Sequence, residues 1–209
     1  MKIAVLIYGR LNNCIKHYKN IVNSIGKEND IDFFLSSDNS NENIITDFID
    51  LYNPISYIND KIEYTCNLDK YDGKRGETNI HNMTCHFINK YRVFTLLEKY
   101  IEEKNIKYDI IISLRVDILI ENKFIFDNIK DNTIYIPQGN DFIDNALNDQ
   151  IAYGNLIVMK KYMNIFNNCE LLLNQKLSIP HPESLTLANI NFYNLDIFRV
   201  NLKYKLIKN

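Results

Sequence analysis

Residues 108–117 read Tyr108-Asp-Ile-Ile-Ile-Ser-Leu-Arg-Val-Asp117, and this stretch decides the fold class. Its three consecutive isoleucines form the continuous apolar pattern of a strand that is covered on both faces. A charged pair, Arg115 and Asp117, follows where this strand should emerge from the sheet. In open α/β sheets, ligands bind at the carboxyl ends of the strands, where a carboxylate suits a hard divalent cation and an arginine suits a phosphate. The stretch therefore predicts a metal and diphosphate site at the edge of an α/β sheet.

The segments on both sides of this strand alternate between strand and helix patterns. The predicted strands are residues 2–8, 32–36, 57–58, 133–136 and 156–159, with one or two closing strands within 196–207. The predicted helices are residues 11–25, 44–52, 83–103 and 161–173, and a last helix that Pro180-His-Pro-Glu183 opens. Residues 59–82 have the weakest pattern and predict a long loop, which in a compact domain is usually functional or mobile. The alternation predicts an α/β fold over residues 1–209: a single Rossmann-like domain with a mostly parallel central sheet flanked by helices.

The composition is that of an ordinary globular protein. The chain is 46% hydrophobic and 24% charged, and its net charge of −2 leaves no basic excess for nucleic acid. No apolar run approaches the roughly 18 residues of a transmembrane helix, and the apolar run at the N-terminus is too short for a signal peptide. The four cysteines are scattered without a Cys-x-x-Cys motif, which disfavours zinc and favours reduced thiols. We therefore expect a cytoplasmic protein with no nucleic-acid partner and no transmembrane segment.

Two residues are candidates for a divalent metal. Asp117 is either a surface or helix-capping carboxylate or a ligand of Mn²⁺ or Mg²⁺, which need only one or two protein carboxylates beside phosphate and water. Arg115 either contacts the diphosphate or pairs with Asp117. His181 lies between two prolines just before a helix and is either structural or a neutral imidazole that completes the metal shell. Glu183 is better explained as a first-turn carboxylate favoured by the helix dipole.

Two further segments should reach the same edge of the sheet. Gly9-Arg10 and Ser37-Asp38 follow the first two strands and are candidates for holding a nucleoside. The chain has no Gly-x-Gly-x-x-Gly, which disfavours a classical dinucleotide fold and a P-loop kinase. Lys74 and Arg75 are solvated loop charges or close over phosphates. On the long helix, we expect His81, His86 and Lys90 to be no more than polar positions.

Asn148-Asp149-Gln150 lies before Ala152-Tyr-Gly154, which is interpreted as a short helix end followed by a strand. The segment is either the capped start of a helix or a carboxylate that lines the reaction centre. In the second case, Asp149 is a candidate general base or sugar-binding group, and a base must come within hydrogen-bond reach of the hydroxyl that it deprotonates.

Four segments in this order resemble a known family: the opening Lys2-Ile-Ala-Val-Leu-Ile-Tyr-Gly-Arg10, then residues 108–117, then Asn148-Asp-Gln-Ile-Ala-Tyr-Gly-Asn155, then His181-Pro-Glu183. The set resembles the small GT-A-type glycosyltransferases of large DNA viruses and bacterial surface-polysaccharide clusters. The resemblance implies a GT-A-like domain, a nucleotide-sugar donor that is UDP-linked, a glycan or other hydroxyl acceptor, and Mn²⁺ or Mg²⁺ as cofactor.

The resemblance also implies roles for individual residues. Asp117 takes the last position of the family's Asp-x-Asp element, whereas Arg115 departs from its first position. His181 joins Asp117 as a metal ligand, and Asp149 is the candidate acceptor-side base. The candidate donor-binding residues are Ile7, Tyr8, Gly9, Arg10, Ser37, Asp38, Lys90, Arg115 and Asp117.

Two other functions remain possible from the sequence. A sugar nucleotidyltransferase would need a glycine-rich basic loop after the first strand, and the segment that begins at Gly9 is too short and too poor in glycine. A non-catalytic domain that binds a nucleotide or a glycan would account for the missing first aspartate. Binding of UDP without turnover of UDP-sugars would distinguish this domain from an enzyme.

Overall fold

The computed structural model describes residues 1–11, 17–38, 40–64, 68–71, 79–141 and 146–207. The strands within these ranges are β1 (Lys2–Tyr8), β2 (Asp30–Ser37), β3 (Ser56–Asn59), β4 (Ile110–Arg115), β5 (Ile118–Ile120), β6 (Thr133–Pro137), β7 (Ile151–Gly154), β8 (Asp196–Val200) and β9 (Tyr204–Leu206). The helices are α1 (Tyr18–Ile25), α2 (Glu42–Tyr52), α3 (Ile80–Lys104), α4 (Leu156–Met163), α5 (Ile165–Asn174) and α6 (Pro182–Phe192).

Seven of the strands form one central sheet in the order β3-β2-β1-β4-β7-β6-β8. β1 pairs in parallel with β2 and β4, β2 with β3, and β6 with β8, whereas β7 runs antiparallel to both of its neighbours. β5 and β9 form a separate antiparallel pair. The predicted α/β fold with a mostly parallel sheet is confirmed.

The central strands are buried on both faces, as their continuous apolar pattern predicts. Alternate residues of β1 enter two different cores, because side chains of a strand point to opposite sides of the sheet. Ile3 and Val5 pack with α1 and α2 on one side, whereas Ala4 and Leu6 pack with α3, α4 and α6 on the other. The sheet is therefore sandwiched between helices, and its strand ends are left to form a site.

The long helix α3 packs against the sheet and contacts β1, β2 and β3. It begins after Asn79, whose side chain accepts a hydrogen bond from the N–H of Asn82, and it ends at Asn105 in the left-handed conformation. At 25 residues it is the longest helix of the described ranges. Neither α3 nor any other helix of these ranges is long and apolar enough to cross a membrane.

One predicted strand is wrong, because residues 156–159 form the start of helix α4. Asn155 caps this helix by accepting a hydrogen bond from the N–H of Val158. A short apolar run fits a buried helix and a buried strand equally well, so periodicity alone could not separate them. The strand lies earlier, at β7, so Asn148-Asp149-Gln150 starts no helix. The predicted helix 161–173 is also divided at Asn164, between α4 and α5.

Candidate active site

The carboxyl ends of three neighbouring segments are tied together by backbone hydrogen bonds. Gly9 N donates to Ser36 O at 3.0 Å, which joins the ends of β1 and β2. Val116 N donates to Tyr8 O at 3.2 Å, and Arg115 N donates to Gln150 O at 3.1 Å. The chain leaves β1 at Gly9 with φ of 118°, a conformation that favours glycine. These bonds bring the turns after β1 and β4 against the segment that precedes β7.

Arg115 and Asp117 form a two-pronged ion pair at the end of β4. Arg115 Nε lies 3.0 Å from Asp117 Oδ1, and Nη2 lies 2.5 Å from Oδ2. Burial acts against the charge of Arg115, but Asp117 outweighs it and raises the arginine's pKa. The side chains are 30% and 33% exposed, so the pair still faces solvent. Each carboxylate oxygen keeps a lone pair for a further ligand, so Asp117 can bind a cation without leaving Arg115.

The turn that carries Asp117 is held by the C-terminal strand. Ile207 N donates to Asp117 O at 2.8 Å, directly beyond the pairing of β5 with β9. On the same strand, the hydroxyl of Tyr204 donates to Gln150 Oε1 at 2.8 Å and also contacts the side chain of Asn148. The end of the chain therefore braces both Asp117 and the segment that precedes β7.

Asp149 is the centre of a buried polar cluster. Its side chain is only 5% exposed, and its Oδ2 lies 2.9 Å from Nε2 of His86 on α3. Its backbone carbonyl accepts hydrogen bonds from Lys90 Nζ at 2.8 Å and from the hydroxyl of Tyr8 at 3.2 Å. Lys90 also donates to the hydroxyl of Tyr162 at 3.2 Å, and its side chain is fully buried. Helix α3 and strand β1 thus hold the backbone carbonyl of Asp149, and His86 of α3 contacts its carboxylate.

The charges of this cluster are mutually dependent. Burial alone would raise the pKa of Asp149, but His86, followed by Lys90 and Arg115, outweighs burial and holds that pKa below its ordinary value. Burial lowers the pKa of Lys90 to about 8, although Asp149 opposes this shift. Burial also lowers the pKa of His86 below 6.5, again with Asp149 opposing. The carboxylate is therefore ionised at neutral pH, and the imidazole and the amine lose their protons more readily than they would in water.

The candidate nucleoside residues lie at the ends of β1 and β2, and several of their polar atoms already have hydrogen-bond partners. Asp38 accepts a hydrogen bond from the N–H of Ile62 at 3.1 Å, and its other oxygen lies 3.4 Å from Nη2 of Arg10. Ser37 is fully buried and its hydroxyl contacts that of Ser40. Arg10 is 68% exposed, so it is the group of this set that is most open to a ligand.

His181 precedes the first turn of α6, where Pro182 occupies the first helical position as predicted. Burial lowers the pKa of His181, and the carboxylate that opposes this shift is Asp149. In the described ranges, no group of three or more histidine, cysteine, aspartate or glutamate residues is arranged to hold a metal ion. A cation at Asp117 would therefore take most of its ligands from phosphate and water, as magnesium-like ions usually do in proteins.

The predicted loop over residues 59–82 is described only in part. Residues 69–71 form a single 3₁₀ turn, and α3 begins at Ile80, earlier than the predicted residue 83. Lys74 and Arg75 lie outside the described residues. Their predicted contact with phosphate stays a prediction.

Comparisons with known proteins establish what this architecture is. No protein-family model and no curated protein sequence matches the chain. Among solved structures, the chain is similar to a galactosyltransferase, LgtC, crystallised in complex with donor and acceptor sugar analogues. The TM-score is 0.52 at 15% sequence identity, and the match covers 92% of this chain and 70% of that chain. The chain has the GT-A fold. At this identity the likeness establishes the fold, and the chemistry must be argued from the residues.

Two features of this candidate site were missed by sequence reasoning. His86 lies against Asp149 rather than on a merely polar face of the helix, and Tyr204 reaches the site from the last strand. His86 and Lys90 are four residues apart and so share one face of α3, which was the available signal. Tyr204 left no comparable signal, because its partners are more than 50 positions away in the sequence.

Proposed function

We propose that this protein is a metal-dependent glycosyltransferase that moves a sugar from a nucleotide-diphosphate sugar, such as a UDP-sugar, to a hydroxyl group of a glycan or related acceptor. The observation that supports this most is the Arg115–Asp117 pair, partly exposed at the end of a central strand of a GT-A fold. The second support is the buried Asp149 cluster on the neighbouring segment.

Arg115 and Asp117 would bind and stabilise the leaving diphosphate. When the sugar–phosphate bond breaks, negative charge grows on the diphosphate, and a fixed guanidinium nearby stabilises that charge. Arg115 is held in place by Asp117, so little reorganisation is needed as the charge develops. The planar fork of arginine suits this task, because it can bind a carboxylate and a phosphate oxygen at the same time.

A divalent cation fits the available ligands if the diphosphate supplies part of its shell. Asp117 would hold it, with His181 as the second protein ligand that we propose from the resemblance. When bound, Mn²⁺ or Mg²⁺ supplies Lewis-acid stabilisation of the diphosphate. The residues that would surround the rest of the donor are those at the ends of β1 and β2, with Arg10 the most exposed of them.

Asp149 would work on the acceptor side of the reaction. Its carboxylate is ionised and buried beside His86, and its backbone carbonyl is held by Lys90 and Tyr8. Asp149, directly or through a side chain that it orients, would receive the proton that the acceptor hydroxyl loses when it attacks the anomeric carbon. Lys90 has no exposed surface, so its contribution is to hold the Asp149 carbonyl by a hydrogen bond from within the core.

The proposal is tested by thermal unfolding with a panel of nucleotides and nucleotide-sugars, each with and without Mn²⁺. A ligand that binds only the folded state stabilises it by about 2.7 kcal/mol at a concentration 100 times its Kd, which is readily measured as a rise in Tm. We expect a metal-dependent rise for one class of nucleotide-sugar and release of the nucleotide when a suitable acceptor is added.

The variant Asp117→Asn should abolish the metal-dependent part of the rise and the transfer, because an amide is a far poorer ligand for a hard cation. Asp127→Asn is the matched control, since Asp127 is an exposed carboxylate in a turn of the following segment. Metal-dependent binding and turnover that survive in Asp117→Asn would refute the assignment. Nucleotide binding without any turnover would favour the non-catalytic binding domain instead.

A further inference from the structure

His86 has a position that a structural role alone does not explain. Its ring stands edge-on to Tyr8 at 5.4 Å between centroids, so β1 and α3 hold it at the carboxyl end of the sheet. Its Nε2 is covered and lies 2.9 Å from Asp149 Oδ2. The side chain as a whole is nevertheless 17% exposed, so it is not closed off from solvent.

Asp149 by itself is a weak base. Its charged form is stabilised by the surrounding positive charges, and a carboxyl group with a lowered pKa has little tendency to take a proton near neutral pH. An imidazole titrates much closer to neutrality, which makes it the better proton acceptor. Asp149 is, however, well suited to orient an imidazole, since it is ionised and fixed.

We propose that His86 is the catalytic base for the acceptor hydroxyl and that Asp149 is its positioning residue. This inference rests on the proposed function and names the atom that takes the proton. The carboxylate favours the tautomer with the proton on Nε2, which leaves the lone pair on Nδ1 for the acceptor. The ring N–H is not aligned with Oδ2 in this structure, and such contacts commonly tighten only when the substrate binds.

The proposed step balances in protons and electrons. The acceptor O–H bond breaks and its proton passes to Nδ1 of neutral His86. The oxygen's electron pair forms the new bond to the anomeric carbon, while the bond from that carbon to the diphosphate oxygen breaks and its electrons leave with the diphosphate. The imidazolium formed is stabilised by the Asp149 carboxylate, and it then returns its proton to solvent.

The pH dependence follows from the groups that face the dyad. These are Tyr8 on β1, Lys90 on α3, Arg115 on β4, and His181 before α6, which faces Asp149. The base works only when it is neutral, so kcat/KM should fall as the pH drops through the pKa of His86, which lies below 6.5. Removing the Asp149 charge should move this acid limb to lower pH, because the carboxylate raises the pKa of His86.

The test measures transfer by His86→Gln, His86→Ala and Asp149→Asn across pH 4.5–8 (from about 2 units below to about 1.5 units above the ordinary histidine pKa). We expect His86→Gln to lower kcat by about 100-fold or more with little change in donor KM, and to lose the acid limb. Added imidazole should restore part of kcat in His86→Ala. The control is His81→Gln, an exposed histidine on the same helix that contacts Tyr64 instead, and it should keep wild-type kcat.

Two results would overturn the inference without touching the proposed function. The first is a kcat in His86→Gln within about threefold of wild type, well short of the loss expected for a general base. The second is a folded His86→Ala variant that imidazole does not rescue and that keeps the wild-type acid limb. Metal-dependent donor binding, measured by thermal shift in each variant, separates loss of chemistry from loss of the donor site. A wild-type protein that neither transfers nor hydrolyses any nucleotide-sugar overturns both proposals.

Discussion

The buried lysine beneath Asp149 makes a measurable prediction about stability. Lys90 is fully buried, and its pKa falls from 10.5 to about 8 in the folded protein. The difference between these two values corresponds to about 3 kcal/mol, which is the free-energy cost of keeping this amine charged inside the protein rather than in the unfolded chain. The cost is present below pH 8, where both states are protonated.

The sign of the effect follows from proton linkage. Between about pH 8 and 10.5, the unfolded chain binds the lysine proton and the folded protein does not, so the free energy of unfolding should rise by up to about 1.4 kcal/mol per pH unit. In Lys90→Met this contribution is absent. Between pH 7 and pH 10, the free energy of unfolding of wild type should therefore increase by about 2.5 kcal/mol more than that of Lys90→Met.

The assay is urea unfolding of both proteins at half-unit pH steps, so that titrations common to both cancel in the difference. Lys99→Met is the matched control, because Lys99 lies on the same helix with a side chain that is 73% exposed, and its curve should run parallel to that of wild type. Parallel curves for wild type and Lys90→Met would refute the reasoning. They would mean that the amine is solvated in the folded protein and does not brace the Asp149 carbonyl.

Two other substitutions test the site from different sides. Gly9→Ala should lower the free energy of unfolding, measured in urea, by about 1–3 kcal/mol, because Gly9 has a φ of 118°. The control Gly139→Ala should lower it by a similar amount, since Gly139 also has a positive φ. Only Gly9→Ala should weaken donor binding. Arg115→Lys keeps the charge but loses the two-pronged contact with Asp117, so kcat should fall about 10-fold or more at saturating donor; an unchanged kcat would show that the fork geometry plays no part.

The failed strand at residues 156–159 shows where sequence reasoning reaches its limit. The strands β1 and β4 were predictable because a continuous apolar run of this length is typical of a strand buried on both faces in an α/β protein. Leu156-Ile-Val-Met159 has the same composition, and its conformation is set by the Asn155 cap and by packing against α3 and α6. The conformation of a short apolar segment depends on the elements that pack against it, and the local sequence does not identify these elements.

In the candidate site, too, the sequence predicted local features but not contacts between distant segments. The sequence placed Arg115 and Asp117 at a strand end, and this holds because both residues are local to the strand that positions them. The role given to Asp149 rested on residue type, and its surroundings were hidden, since His86 and Lys90 lie 63 and 59 positions away in the chain. Only the folded protein could show that the carboxylate is already paired.

The sequence by itself therefore determined the α/β class, the central strands and the charged tip of β4, since each follows from the periodicity or order of neighbouring residues. The tertiary structure decided the antiparallel insertion of β7, the brace from the C-terminal strand and the pairing of His86 with Asp149. These are contacts between distant segments, and their geometry depends on how the helices pack on the sheet. The pKa of a buried group depends on the same packing, so the chemistry of this site could be assigned only once the fold was known.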